Sequence, residues 1–222
     1  MTHSVLGTIV SSELRYFFLN PRQILLVPLV LGGILLAMWP HIGSPFVPVF
    51  LVAFLGTERE FNNILNRWPS QHEAMVILPV QWRTVVLAKN LATILMTLLV
   101  TVGASVIILY FAPEPASGEE TLLAFLYLLS VLFPLLAAGN ARSTRGPRPG
   151  RMVDIDDLPE AVISLVLLGV ASIPFGVLWG VLESRALSLL YSAAAAAYWL
   201  LVSVRRTAEA VPSSTTLRRM IQ

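Results

Sequence analysis

Apolar residues fill this chain in long blocks, and the polar residues between the blocks carry most of the positional information. In residues 4–19, Val5, Leu6, Ile9, Val10, Leu14, Phe17 and Phe18 recur at helical spacing, opposite Ser11, Ser12, Glu13 and Arg15. The pattern predicts an amphipathic helix lying in the membrane interface, within an N-terminal segment 1–21. It lacks the Lys/Arg-led start and small-residue cleavage site of a signal peptide, so retention in the mature protein is expected. Asn20-Pro21 ends it, because proline disfavours a helical residue before it.

Six further blocks predict membrane spans. The first is residues 24–39, ended by Trp39-Pro40. The second opens at Ser44-Pro45, an N-cap followed by proline at the first helical position. Its apolar core, 46–56, is short against the roughly 20 helical residues that a hydrocarbon core needs, so this helix must run on into polar sequence. Residues 85–112 are the third span, with Lys89 near its start expected to snorkel toward the headgroups. Residues 121–140 are the fourth, with a kink expected at Pro134. The fifth runs from Leu158 to about Leu182 and admits a break or re-entrant turn at Pro174; the sixth is 186–204. The expected fold class is an all-α polytopic membrane protein: six transmembrane helices and an N-terminal amphipathic interfacial helix in one permease-sized domain, 1–222.

The stretch 57–84 is a charged interruption. Glu58, Arg59, Glu60 and Arg67 lie close together, while Phe61, Ile64, Leu65 and Trp68 share one helical face, which suits a helix leaving the bilayer along its surface. Pro69 stops it. Ser70 and Glu73 then have capping-box spacing, and the apolar run 74–78 ends at Pro79, so residues 70–78 predict a short helix of their own.

Composition and charge turn these blocks into a membrane topology. The chain is 56% hydrophobic and 13% charged, outside the range of a soluble globular domain. At 222 residues it leaves no room for a sizeable soluble enzyme domain beside the spans. With both termini in the cytoplasm, every lysine and arginine except Arg185 falls inside, and the acidic Glu114, Glu119 and Glu120 fall outside. The elbow 57–84 and the basic tail 205–222 are then cytoplasmic.

Gly169, Ser172, Gly176 and Gly180 lie along one face of the fifth span, the last two forming GxxxG, and the alanines 193–197 thin the sixth. Such stripes serve packing within one subunit or a subunit interface equally well. No GxxxxGK[ST], HExxH or GxSxG occurs, so no catalytic residue is assigned and an enzyme is not expected. His3, His41 and His72 have no ligand spacing and read as solvated interfacial side chains, and no metal site is assigned. Trp39 and Trp82 read as interface anchors. There are no cysteines, which excludes disulfides and thiolate sites.

Glu13-Leu14-Arg15 on the N-terminal helix, Glu58-Arg59-Glu60, the short helix 70–78, Leu78-Pro79-Val80 and Val86-Leu87-Ala88-Lys89 together resemble the ABC-2 type exporter permeases. The resemblance covers the six-span layout, and its motif-bearing part is about 58–89. It implies a membrane subunit of an ATP-binding-cassette exporter in a bacterial inner membrane, paired as a homodimer or pseudodimer. A separate cytosolic ABC ATPase would bind the ATP and Mg. By position, the N-terminal helix with Glu13 and Arg15 becomes the connector helix. Glu58, Glu60 and Lys89 flank the elbow, and Ser70, Gln71, His72, Glu73, Ala74, Met75 and Leu78 form the coupling helix that meets the ATPase. The family's Gly-Thr-Leu-Glu is replaced here by Asn62-Asn63-Ile64-Leu65, and the turn at 183–185 holds no extra domain. The compact size also resembles a membrane component of the haem exporter that serves cytochrome c maturation, a relative of the same architecture. Two other classes stay open: a non-transporting scaffold and a lipid-modifying membrane enzyme. Sparse polar side chains in the spans favour an amphipathic or lipid-like cargo; membrane lipids are expected partners and nucleic acid is not.

Overall fold

A computed structural model describes residues 5–19, 49, 53–54, 81–111, 117–143, 166, 169–182 and 184–210. Among them every regular element is helical. The expected first and second spans lie outside this set apart from Val49, Ala53 and Phe54. Most of the elbow, including Glu58, Glu60 and the whole of 70–78, also lies outside it, as does the tail beyond Ala210. We label the helices α1 (Val5–Leu19), α2 (Trp82–Phe111), α3 (Gly118–Ser143), α4 (169–181) and α5 (Arg185–Ala210).

Three of these, α2, α3 and α5, contain segments long and apolar enough to cross a membrane: Trp82–Val106, Gly118–Ala141 and Arg185–Ala210. They correspond to the expected third, fourth and sixth spans, each begun one to three residues earlier than the apolar pattern alone indicates. Their starts rest on polar residues that hydropathy does not count. Ser117 and Glu120 form a reciprocal capping box at α3: the Glu120 amide donates to Ser117 Oγ at 3.1 Å and the Ser117 amide donates to Glu120 Oε2 at 2.8 Å. Ser184 caps α5 by accepting from the Leu187 amide. Pro134 sits inside a continuous α3, and α4 runs on past Pro174 into a π-helical stretch, Gly176–Val181. A second π-helical stretch, Trp199–Ser203, interrupts α5.

The spanning helices are apolar outward and partly polar inward. On α2 the exposed line is Leu95, Leu99, Val102, Val106 and Tyr110, whereas Thr93, Thr97 and Thr101 are buried. Each threonine hydroxyl donates to the carbonyl four residues earlier, at 3.0, 2.9 and 2.7 Å, so it is satisfied inside its own helix. Ser188 and Ser192 of α5 do the same, and Ser192 also meets Ser130 of α3 at 2.8 Å. Water offers no reason to hide hydroxyls while exposing leucines; hydrocarbon does, because small polar residues allow close helix approach and lipid tails cover the rest.

Helix directions follow from which residues meet. Glu119 pairs with Arg185, Ser130 with Ser192 and Asn140 with Ser203, so α3 and α5 run parallel. Asn90 near the start of α2 meets Asn140 near the end of α3, as the short 112–117 connection between antiparallel neighbours requires. An apolar cluster including Phe54, Val86, Leu128, Leu132, Leu136 and Trp199 fills the centre.

Helix α1 packs alongside the first half of α2. Ile9 joins Val85 and Ala88, and Phe17, two turns later, joins Ala92 and Met96. The two helices thus advance together over several turns, whereas a helix laid flat across α2 would touch it at one place.

Candidate functional site

Between those two apolar contacts lies an ion pair. Glu13 falls four residues after Ile9 and four before Phe17, so it shares their buried line along α1. Its Oε1 accepts from Lys89 Nζ at 2.8 Å, and the two side chains are 1% and 5% exposed. Lys89 therefore turns inward to a carboxylate instead of snorkelling along its own helix toward the headgroups. Glu13 likewise departs from the expected polar face of α1, where periodicity sets it with Ser11, Ser12 and Arg15. Arg15 keeps that position and is exposed. The physical reason is the partner: withdrawing a charge from water costs several kcal/mol, and an opposite charge at hydrogen-bond distance makes it tolerable.

One residue along α2 begins a polar junction of three helices. Trp199 Nε1 donates to Asn90 Oδ1 at 3.0 Å. Asn90 Nδ2 donates to Asn140 Oδ1 at 3.0 Å and to the Val86 carbonyl at 2.6 Å. Asn140 Nδ2 donates in turn to Ser203 Oγ at 3.1 Å. An indole N–H can only donate, so it fixes which end of Asn90 faces Trp199, and that choice propagates through Asn140 to Ser203. Both α5 residues of the junction, Trp199 and Ser203, belong to the π-helical stretch, and Phe133 stacks at a tilt on Trp199 with ring centroids 5.4 Å apart. Nothing in sequence singles out these residues: each stands alone in an apolar block, with partners 50, 63 and 109 positions away. The one available signal is that an asparagine inside such a block must find a partner once buried.

The small-residue face of α4 divides. Ser172 points into the chain, its Oγ 2.8 Å from Tyr127 Oη, while Phe175 meets the Tyr127 ring edge-on. Gly169 and Gly176 are exposed, and a side chain at either would meet open space. Ser172 thus serves packing within the subunit, and Gly180 falls in the π-helical stretch that ends α4. The coupling-helix residues 70–78 and the elbow acids Glu58 and Glu60 lie outside the described residues, so of the expected elbow and connector set the structure brings together Glu13 and Lys89.

At the opposite end of the spans stands the exposed Glu119–Arg185 pair, joining the starts of α3 and α5. Charged side chains thus occupy two levels. Glu119, Glu120 and Arg185 mark one; Glu13, Lys89, Arg205 and Glu209 mark the other, with uncharged helix between. No group of acids and histidines suited to a metal occurs among the described residues.

An all-helical set of described elements, three apolar helices of spanning length and charge restricted to their two ends place this chain among the integral membrane proteins. No family model, curated protein or solved structure matches it.

Proposed function

We propose that the chain is the membrane-spanning subunit of an ATP-binding-cassette exporter of the ABC-2 type, moving an amphipathic or lipid-like substrate with energy from a separate ATPase subunit. The observation that carries the proposal is the Glu13–Lys89 ion pair. It fastens the N-terminal helix to the first turns of the span that follows the cytoplasmic elbow, which is where a push on that elbow would arrive. The sequence resemblance at 58–89 points the same way, and the lack of any P-loop motif in the chain requires the nucleotide chemistry to come from a partner.

In this mechanism, closure of two ATPases around ATP and Mg displaces residues 70–78. Helix α2 moves with the elbow, and Lys89 takes Glu13 and α1 along, so that two helices shift as one body against the rest of the bundle. Six spans, two cytoplasmic termini, a bacterial inner-membrane location and a second permease chain complete the arrangement. Affinity purification of the full chain from native membranes, with partners identified by mass spectrometry, tests it: a P-loop ATPase in comparable amount is expected. A chain that purifies without any ATPase, or that alone modifies lipids without nucleotide, would overturn it.

A further inference from the structure

One flank of α1 and the adjoining face of α2 enclose an open groove of about 590 Å³. Leu14 of α1 and Leu91, Ile94 and Leu95 of α2 give it apolar walls, and Ser11 and Arg15 stand along it one turn apart. Arg15 is the charged side chain in the lining. It is exposed and makes no ion pair among the described residues, since Glu13, the carboxylate of its own helix, is buried and engaged by Lys89.

The level of Arg15 in the membrane follows from lengths. Helix α2 has 30 residues, about 45 Å at the usual rise of ~1.5 Å per residue, against a hydrocarbon core of ~30 Å. Its charged residues, Arg83 and Lys89, are both early, and 91–111 carry no charge. The surplus length therefore projects on the Trp82 side, and the hydrocarbon boundary falls near Leu91. Arg15 follows Glu13 by half a turn and lies against Leu91–Leu95, so it stands at that boundary. Beyond it, Phe18 and Leu19 are 62% and 67% exposed, as lipid-facing residues are. A lone guanidinium above an apolar trough at this depth matches a phosphate joined to acyl chains.

We propose that this groove binds a membrane phospholipid of net negative charge. Its phosphate accepts from the Arg15 guanidinium and the Ser11 hydroxyl, and the first part of an acyl chain lies along Leu14, Leu91, Ile94 and Leu95. The proposal rests on membrane embedding and not on the transport reading. It makes lipid a second fastener between α1 and α2, beside the ion pair.

Native mass spectrometry of the delipidated full-length chain, titrated with phosphatidylglycerol or phosphatidylcholine, tests it. Wild type is expected to bind phosphatidylglycerol more tightly than phosphatidylcholine. Arg15→Ala should weaken the phosphatidylglycerol site about fivefold, the worth of one basic residue at an anionic surface. Arg15→Lys and the exposed-cation control Arg205→Ala should stay within about twofold of wild type. Because Arg15 is exposed, melting of Arg15→Ala should match wild type. Equal binding by Arg15→Ala and wild type, equal affinity for the two lipids, or displacement of the lipid by millimolar inorganic phosphate would each overturn the proposal.

Discussion

Glu13 shows how a single charged residue can be placed against its own pattern. Counting apolar neighbours assigns it to the wet face of α1, yet its angular position beside Ile9 and Phe17 is on the dry one; the deciding partner, Lys89, is 76 residues away. Periodicity alone cannot register such a partner. The pair is buried, so its removal and its replacement should have opposite consequences. Glu13→Gln or Lys89→Met alone leaves one buried charge uncompensated and should cost about 3–5 kcal/mol of stability. The double replacement Glu13→Leu with Lys89→Met removes both charges and should recover most of that loss. Thermal unfolding of detergent-solubilised protein, read as a double-mutant cycle, checks this. Losses that simply add would mean that the two side chains do not depend on each other. Asn90 and Asn140 follow the same logic without charge, each amide fixed by the donor-only indole of Trp199.

At the scale of elements, α3 and α5 are held side by side by hydroxyls. Ser130 and Ser192 lie within 2.8 Å across the contact, and Ser188 and Ser192 form a buried line on α5. Since the chain has no cysteine, a Ser130→Cys/Ser192→Cys pair offers a clean probe. Oxidation in membranes should cross-link it within one chain, seen as a gel shift reversed by reductant, whereas a Ser130→Cys/Leu190→Cys pair, with Leu190 on the exposed side, should not. The existence of α2, α3 and α5 was legible in their apolar blocks, because a span of hydrocarbon demands length and hydropathy and little else. Their true starts were less so: Ser117-Gly118-Glu119-Glu120 contains the capping-box spacing, but it reads as part of an acidic loop until the helix is seen to begin there. The inward faces were least legible. In lipid the usual contrast of apolar core and polar surface is reversed, so Thr93, Thr97 and Thr101 mark the packed side of α2 while its leucines mark the outside. The π-helical stretch at Trp199–Ser203 has no sequence signature here, although it supplies both α5 members of the polar junction.

For the whole molecule, the charge layout links fold to function. Acids and Arg185 gather at one end of the spans, and Lys89, Glu13 and the arginines of α5 gather at the other, the end from which the elbow 57–84 enters α2. A bundle built this way has one mechanically addressed face, with α1 and α2 fastened together and α2, α3 and α5 tied at the Asn90–Asn140–Ser203 junction just beside it. Force applied at the elbow reaches a stiff corner and is not lost in a loose one. The central claim is that a separate ATPase applies that force through residues 70–78. Its most direct test is co-purification from native membranes of the full chain and of a chain lacking 70–78, both confirmed as membrane-inserted. The account predicts that a P-loop ATPase accompanies the full chain and is lost with the deletion. Retention of the ATPase by the deleted chain, at the amount seen with the full one, would contradict it.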